Sequence, residues 1–146
     1  MDQESIVYGC IKDSTLLSAG EKFQHRVANR RAMLALPAID DWPFLSREMF
    51  AIPGAQSTQN DYQTDVIHFG ASYKAVEYEW AQWIKKFEEL LESMYWVSAI
   101  VHLETELSGT HTFMWESKNR GHQPGDGIIN VRCEWNYELD ILTRRA

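Results

Sequence analysis

The segment from Val76 to Glu116 most constrains the fold, because its hydrophobic period changes once along its length. Its first half repeats apolar residues every three or four positions, as one face of an amphipathic helix does. These apolar positions are Trp80, Trp83, Ile84, Phe87, Leu90, Leu91 and Met94. From Trp96 onward the apolar residues alternate with a period of two, which is typical of a strand. The segment therefore predicts a helix, with Ser72 as a candidate N-cap, followed directly by a β-hairpin.

The predicted hairpin gives the most specific expectation about a functional surface. Its strands are Trp96–Leu107 and His111–Glu116, and Ser108-Gly109 suits a two-residue turn between them. That turn would pair Glu106 with His111, and it would place Met114 on the same face as Val97, Val101 and Leu103, under the helix. The opposite face would then gather carboxylates, imidazoles and large aromatic rings, namely His102, Glu104, Glu106, His111, Phe113 and Trp115.

The remaining signals complete a predicted order of β-α-β-β-α-β-β-β. The other predicted strands are Ser5–Ile11, Arg47–Ile52, Thr64–Tyr73 and Ile128–Leu142, and the other helix is Glu21–Leu36, which Pro37 ends. Two polar segments, Gly54–Asp61 and Lys118–Gly127, are predicted loops. This pattern predicts a single α+β domain over residues 1–146, with two helices on one face of a mostly antiparallel sheet. Its first six elements match a ferredoxin-like split βαβ arrangement.

Charge and composition narrow the classes of partner. The chain has 146 residues, of which 45% are hydrophobic, and a net charge of −7, so we expect a folded protein that binds no nucleic acid. The acidic residues concentrate between Glu77 and Glu106, which favours a partner with a basic surface. The N-terminal residues show no leader peptide and no membrane-spanning segment, so a cytoplasmic location is expected. Cys10 and Cys133 are then predicted to be free thiols unless their strands are neighbours.

The sequence gives little support for a metal site, a cofactor site or a catalytic site. His102, Glu104, Glu106 and His111 have the side chains to bind Zn or Fe, but an exposed hairpin face offers no concave site, so no metal is predicted. Asp40-Asp41 suits a helix cap, and His68 suits a hydrogen-bonded structural histidine. The chain contains no nucleotide-binding, nucleophile-elbow, C-x-x-C or H-E-x-x-H motif. We therefore predict no catalytic residue and no cofactor.

The favoured interpretation is a small acidic protein that binds and inhibits another protein, as an immunity protein neutralises a toxin or an enzyme. The residues predicted to bind this partner are Glu104, Glu106, His111, Phe113, Trp115 and Trp42, because aromatic anchors ringed by carboxylates suit a basic active site. The alternative is a small-molecule-binding domain or an enzyme. Its cleft would lie between the sheet and the two loops and would use His68, His102 and Glu104. A homodimer formed through the C-terminal strand is a third interpretation.

Overall fold

The computed structural model describes residues 3–37, 41–51, 66–117, 121–127 and 131–135 of the chain. Its strands are β1 (Glu4–Lys12), β2 (Val66–Lys74), β3 (Ser98–Thr105), β4 (Gly109–Glu116) and β5 (Val131–Trp135). Its α-helices are α1 (Ala19–Leu34) and α2 (Trp80–Glu92), and short 3-10 helices cover Arg47–Met49 and Val76–Glu79. The predicted loop Gly54–Asp61 and residue Asp40 lie outside the described residues.

The described strands form one antiparallel sheet in the order β2-β1-β3-β4-β5. Together with the two helices, this sheet confirms the predicted α+β class. The prediction of a strand over Arg47–Ile52 is wrong for the residues of that segment that the structure describes. The chain forms a 3-10 helix there, and only Phe50 pairs, in a single bridge with Phe69. A ferredoxin-like sheet has a full strand at that edge, so the ferredoxin-like arrangement stays a prediction.

The core lies between one face of the sheet and the two helices. Alternate residues of β1 and β3 are buried on that face, as the period of a strand requires, among them Val7, Ile11, Val101 and Leu103. From α2, the buried side chains of Trp83, Phe87, Leu90 and Leu91 join them in one cluster, which confirms the predicted apolar stripe. From α1, Met33 joins the same cluster. The opposite side of the sheet, here called the open face, is covered by neither of these two helices.

The start of α2 differs from the prediction. Ser72 lies within β2, so its assignment as the helix N-cap is wrong. The chain turns instead at Ala75, whose φ of 52° lies in the left-handed region, and continues through the 3-10 helix before α2 begins. The buried Ser5 hydroxyl accepts a hydrogen bond of 3.0 Å from the Val76 N–H. This bond fixes the turn against β1 and so sets where α2 crosses the sheet.

The first helix is held by side-chain hydrogen bonds to the backbone at its N-terminus and within its second half. A capping box between Ser18 and Glu21 starts it two residues before the predicted Glu21, at Ala19. The Asn29 side chain donates to the Tyr95 carbonyl at 2.9 Å and accepts from the Tyr95 N–H at 2.7 Å. Because Asn29 is buried, these two bonds fix α1 to the connection between α2 and β3.

The hairpin has a different register from the one predicted. His102 pairs with Thr112 rather than with Trp115, a difference of three residues, and Leu103 pairs with His111. The loop has three residues, because Gly109 pairs with Thr105 and takes a φ of 77°. The Thr105 hydroxyl also accepts a hydrogen bond of 2.9 Å from the Ser108 N–H. An odd shift of register moves every side chain of β4 to the other face of the sheet.

The two cysteines lie on strands that are not neighbours. Cys10 is on β1 and Cys133 is on β5, with β3 and β4 between them. Three strand spacings put their Cα atoms about 14 Å apart, too far for a disulfide bond. Cys10 is accordingly a free thiol. Of the predicted strand Ile128–Leu142, the structure describes only Val131–Trp135.

Neither described helix combines the length and the apolar content that crossing a membrane would require.

Candidate functional site

The structure does not bring to one surface the six residues predicted to bind a partner, which are Glu104, Glu106, His111, Phe113, Trp115 and Trp42. Glu104 lies half-buried on the open face, and Glu106 lies exposed in the hairpin turn. His111 and Trp115 are buried on the opposite, core-facing side. The predicted shared face is therefore wrong, and the shifted hairpin register is the physical reason. A partner-binding role for Glu104 and Glu106 stays a prediction.

Trp115 and Phe113 are part of the packing beneath α2. Trp115 has no solvent exposure, and its ring centroid lies 5.1 Å from that of Phe87. Its indole N–H donates a 2.9 Å hydrogen bond to Oε2 of Glu88 on α2. Phe113 is partly buried, and its ring centroid lies 5.3 Å from that of Trp80. These contacts give both residues a structural role in joining β4 to α2.

His111 braces the hairpin turn from inside. Its Nε2 lies 2.9 Å from the Ser108 hydroxyl, and the residue is 8% exposed. Burial lowers the pKa of His111, so the imidazole is neutral at pH 7. Because His111 lies on the core side while His102 and Glu104 lie on the open face, these groups cannot converge on one metal ion. Among the described residues, no group of three potential ligands is placed to hold a metal ion.

Trp42 packs at the edge of the core rather than near the hairpin. It is 42% exposed and makes edge-to-face contacts with Phe44 and Tyr73, at centroid distances of 5.2 and 5.9 Å. The hydroxyl of Tyr73, a buried residue of β2, donates a 2.8 Å hydrogen bond to the Phe44 carbonyl. Trp42 thus covers the end of β2 on the core side, and it does not share the open face with Glu104.

A row of polar and aromatic side chains crosses three strands of the open face. We define the open-face patch as Ile6 and Tyr8 of β1, His102 and Glu104 of β3, and Thr112 of β4. Ile6 and Tyr8 are 41% and 38% exposed. The ring centroids of Tyr8 and His102 lie 4.9 Å apart, and Nδ1 of His102 lies 3.0 Å from the Thr112 hydroxyl. The patch therefore presents exposed apolar atoms beside an ordered set of hydrogen-bonding groups.

Glu104 sets the electrostatics of the open-face patch. Its carboxylate interacts with the Tyr8 hydroxyl, and this interaction is the main reason why the pKa of Tyr8 is raised. Burial lowers the pKa of His102, and the negative charge of Glu104 opposes that effect only in part. At pH 7 the phenol and the imidazole are therefore neutral, and the patch carries the negative charge of Glu104.

Two further carboxylates flank the open-face patch. Glu4 comes two residues before Ile6 on β1, and its N–H donates a 3.3 Å hydrogen bond to Oε1 of Glu106. Both glutamates are exposed. Farther along the same face, His68 of β2 is the register partner of Cys10 and is exposed, whereas Cys10 is half-buried. The end of the sheet near the hairpin turn thus carries three carboxylates on the open face, and the exposed Lys74 of β2 is the register partner of one of them, Glu4.

The sequence pattern assigned Tyr8 to one face of a strand but gave no sign that it meets Glu104. Both residues follow their own period-two alternation, and their contact depends on the pairing of β1 with β3. These strands are separated by two helices and another strand along the chain. No local pattern identifies such a pairing.

Comparison of the chain with models of protein families, with curated proteins and with solved structures found no significant match.

Proposed function

We propose that this chain is a small acidic binding protein that docks a basic partner protein on its open-face patch. Such docking would block the covered surface of the partner, as an immunity protein or a similar inhibitor does. The observation that carries the proposal is the pair of exposed apolar side chains, Ile6 and Tyr8, beside the half-buried Glu104. Tyrosine is enriched among the residues that dominate binding energy at protein interfaces.

The shape of the patch supports a protein partner over a small ligand. The patch lies along three neighbouring strands of an open sheet face, and such a surface suits contact with another extended surface. Small-molecule sites are concave. The described cavities beside α1 and at the end of the sheet take none of their lining residues from the patch.

Charge supports a basic partner. Three carboxylates lie at this end of the open face, on Glu4, Glu104 and Glu106, and the whole chain has a net charge of −7. Such a field speeds the encounter with a positive surface, and salt weakens that effect because it screens the charges. The phenol of Tyr8 would then contribute apolar contact area, and Glu104 would select for Lys or Arg.

The test compares two matched double variants as bait in an extract of the native cells. Tyr8→Ala/Glu104→Lys removes the aromatic ring and reverses the charge within the patch. Phe23→Ala/Glu48→Lys makes the same changes at exposed positions on α1 and on the first 3-10 helix. We expect wild type and the second variant to capture the same basic protein. The first variant should bind it about 30-fold more weakly or worse, as the loss of one dominant contact implies.

Circular dichroism melting must first show that both variants fold. If Tyr8→Ala/Glu104→Lys does not fold, Ile6→Lys replaces it, because this side chain is 41% exposed and its loss opens no buried space. Capture of one partner at wild-type strength by the folded patch variant would refute the proposal. Equal loss of binding by both double variants would also refute it, since the effect would then not be specific to the open face.

A further inference from the structure

A cavity of about 660 Å³ lies at the far end of the sheet from the hairpin turn. It opens where β1 ends, between the start of α1, the connection from α2 to β3, and residues 121–123. The side chains that line it and that bear on its chemistry are Asp13, Glu21, His25, Tyr95 and His122. None of them belongs to the open-face patch, so this site is independent of the proposed function.

Asp13 and Tyr95 hold His25 in a fixed orientation. Nδ1 of His25 lies 2.8 Å from Oδ2 of Asp13, and the two side chains are 17% and 14% exposed. The other oxygen of Asp13, Oδ1, accepts a 2.8 Å hydrogen bond from the Ser14 N–H. The His25 ring stacks on Tyr95 with centroids 3.8 Å apart and planes 15° apart. The Asp13 carboxylate accepts in this contact, so Nδ1 of His25 is the donor.

His122 has a ring nitrogen without a hydrogen-bond partner. Its Nδ1 lies 2.9 Å from the Met94 carbonyl, so Nδ1 carries the proton. The ring stacks on Trp96 with centroids 4.9 Å apart, and the residue is only 7% exposed. Its Nε2 is buried and has no hydrogen-bond partner. An unsatisfied buried acceptor of this kind is costly, which points to a ligand that brings a donor.

The charge of the cavity specifies the ligand further. Asp13 and Glu21 each contribute a carboxylate, and no Lys or Arg is among the described residues that line the cavity. Its volume lies in the range of small-molecule sites. We propose that the cavity binds a small organic cation, a primary amine or a guanidine. Its N–H groups would meet the carboxylates and Nε2 of His122, and its carbon atoms would lie against Tyr95.

The test is to titrate the full chain with three probes that share a benzene ring and differ in charge. Two-dimensional NMR of the backbone amides monitors each titration. The probes are benzylamine, benzyl alcohol and benzoate at pH 7.5. We expect benzylamine to shift the amides of Tyr95, Gly121 and Gln123 with saturation in the millimolar range, as befits a fragment of this size. Benzyl alcohol should bind about tenfold more weakly, and benzoate should cause no saturable shift.

Glu21→Gln is the informative variant, because glutamine at this position keeps the acceptor of the capping box and removes only the charge. We expect it to weaken benzylamine binding about three- to tenfold. The matched control Glu48→Gln removes an exposed carboxylate from the first 3-10 helix and should leave the affinity unchanged. Three results would each overturn the proposal: benzoate binding as tightly as benzylamine, no saturable shift with any probe, or equal affinity in wild type and Glu21→Gln.

Discussion

Replacing Trp115 with alanine should be among the most damaging single substitutions in the hairpin. The side chain is fully buried, and its indole N–H bonds to Glu88 while its ring contacts Phe87. Truncating a buried tryptophan costs about 3 to 5 kcal/mol, and the change also leaves Glu88 without that donor. The whole free energy of unfolding of a domain is about 5 to 15 kcal/mol. Trp115→Ala should therefore remove a large share of the stability.

The adjacent residue provides the control. Met114 lies on the open face and is only half-buried, so Met114→Ala should cost about 1 to 2 kcal/mol. Urea unfolding, monitored by far-ultraviolet circular dichroism, measures the free energy of unfolding of both variants without depending on tryptophan fluorescence. If Trp115→Ala is too unstable to purify, Trp115→Phe keeps an aromatic ring, loses the bond to Glu88 and should cost about 1 to 2 kcal/mol. A larger loss in Met114→Ala than in Trp115→Ala would refute the hairpin register and the placement of the core.

Three further predictions test the packing and the titration of the sheet. Gly9→Ala should cost more than about 3 kcal/mol in urea unfolding, because its Cβ would clash with the Ile100 carbonyl oxygen. Gly109→Asn, in the hairpin turn, should cost far less. Glu104→Gln should lower the pKa of Tyr8 toward its ordinary value in an ultraviolet titration, since the charged carboxylate raises it; an unchanged pKa would contradict the contact. Burial lowers the pKa of folded His111, so the unfolded chain takes up the proton first and stability should fall as the pH drops below about 6.5. His111→Gln should make that fall shallower, and an identical pH profile would argue against the effect.

The sequence predicted best where one local period decided the structure. The apolar stripe of α2 is continuous, so both the helix and its buried face could be read from residue spacing. The short segment at Arg47 had no such repeat, and its strand prediction failed. There the chain closes a 3-10 turn, with the Phe50 N–H bonding to the Arg47 carbonyl at 3.2 Å.

The prediction of the partner-binding residues was wrong for a different reason, which is the length of the turn between β3 and β4. A two-residue turn would have put His111 and Trp115 beside Glu104, but the loop is a residue longer and the register differs by three residues. Strand alternation alone cannot distinguish these registers, because both keep a period of two. Tyr8 reaches Glu104, and Asp13 reaches His25, through contacts between separate elements. Only the tertiary arrangement brings these groups together.

The most direct test of the open-face proposal is hydroxyl-radical footprinting of the captured complex against the free protein. Tyr8 and Met114 report on the open face, and Phe23, which is 48% exposed on α1, reports on the helical side. We expect binding to lower the oxidation rate of Tyr8 and Met114 and to leave that of Phe23 unchanged. Protection of Phe23 with no change at Tyr8 would place the partner on the helices and refute docking on the open face.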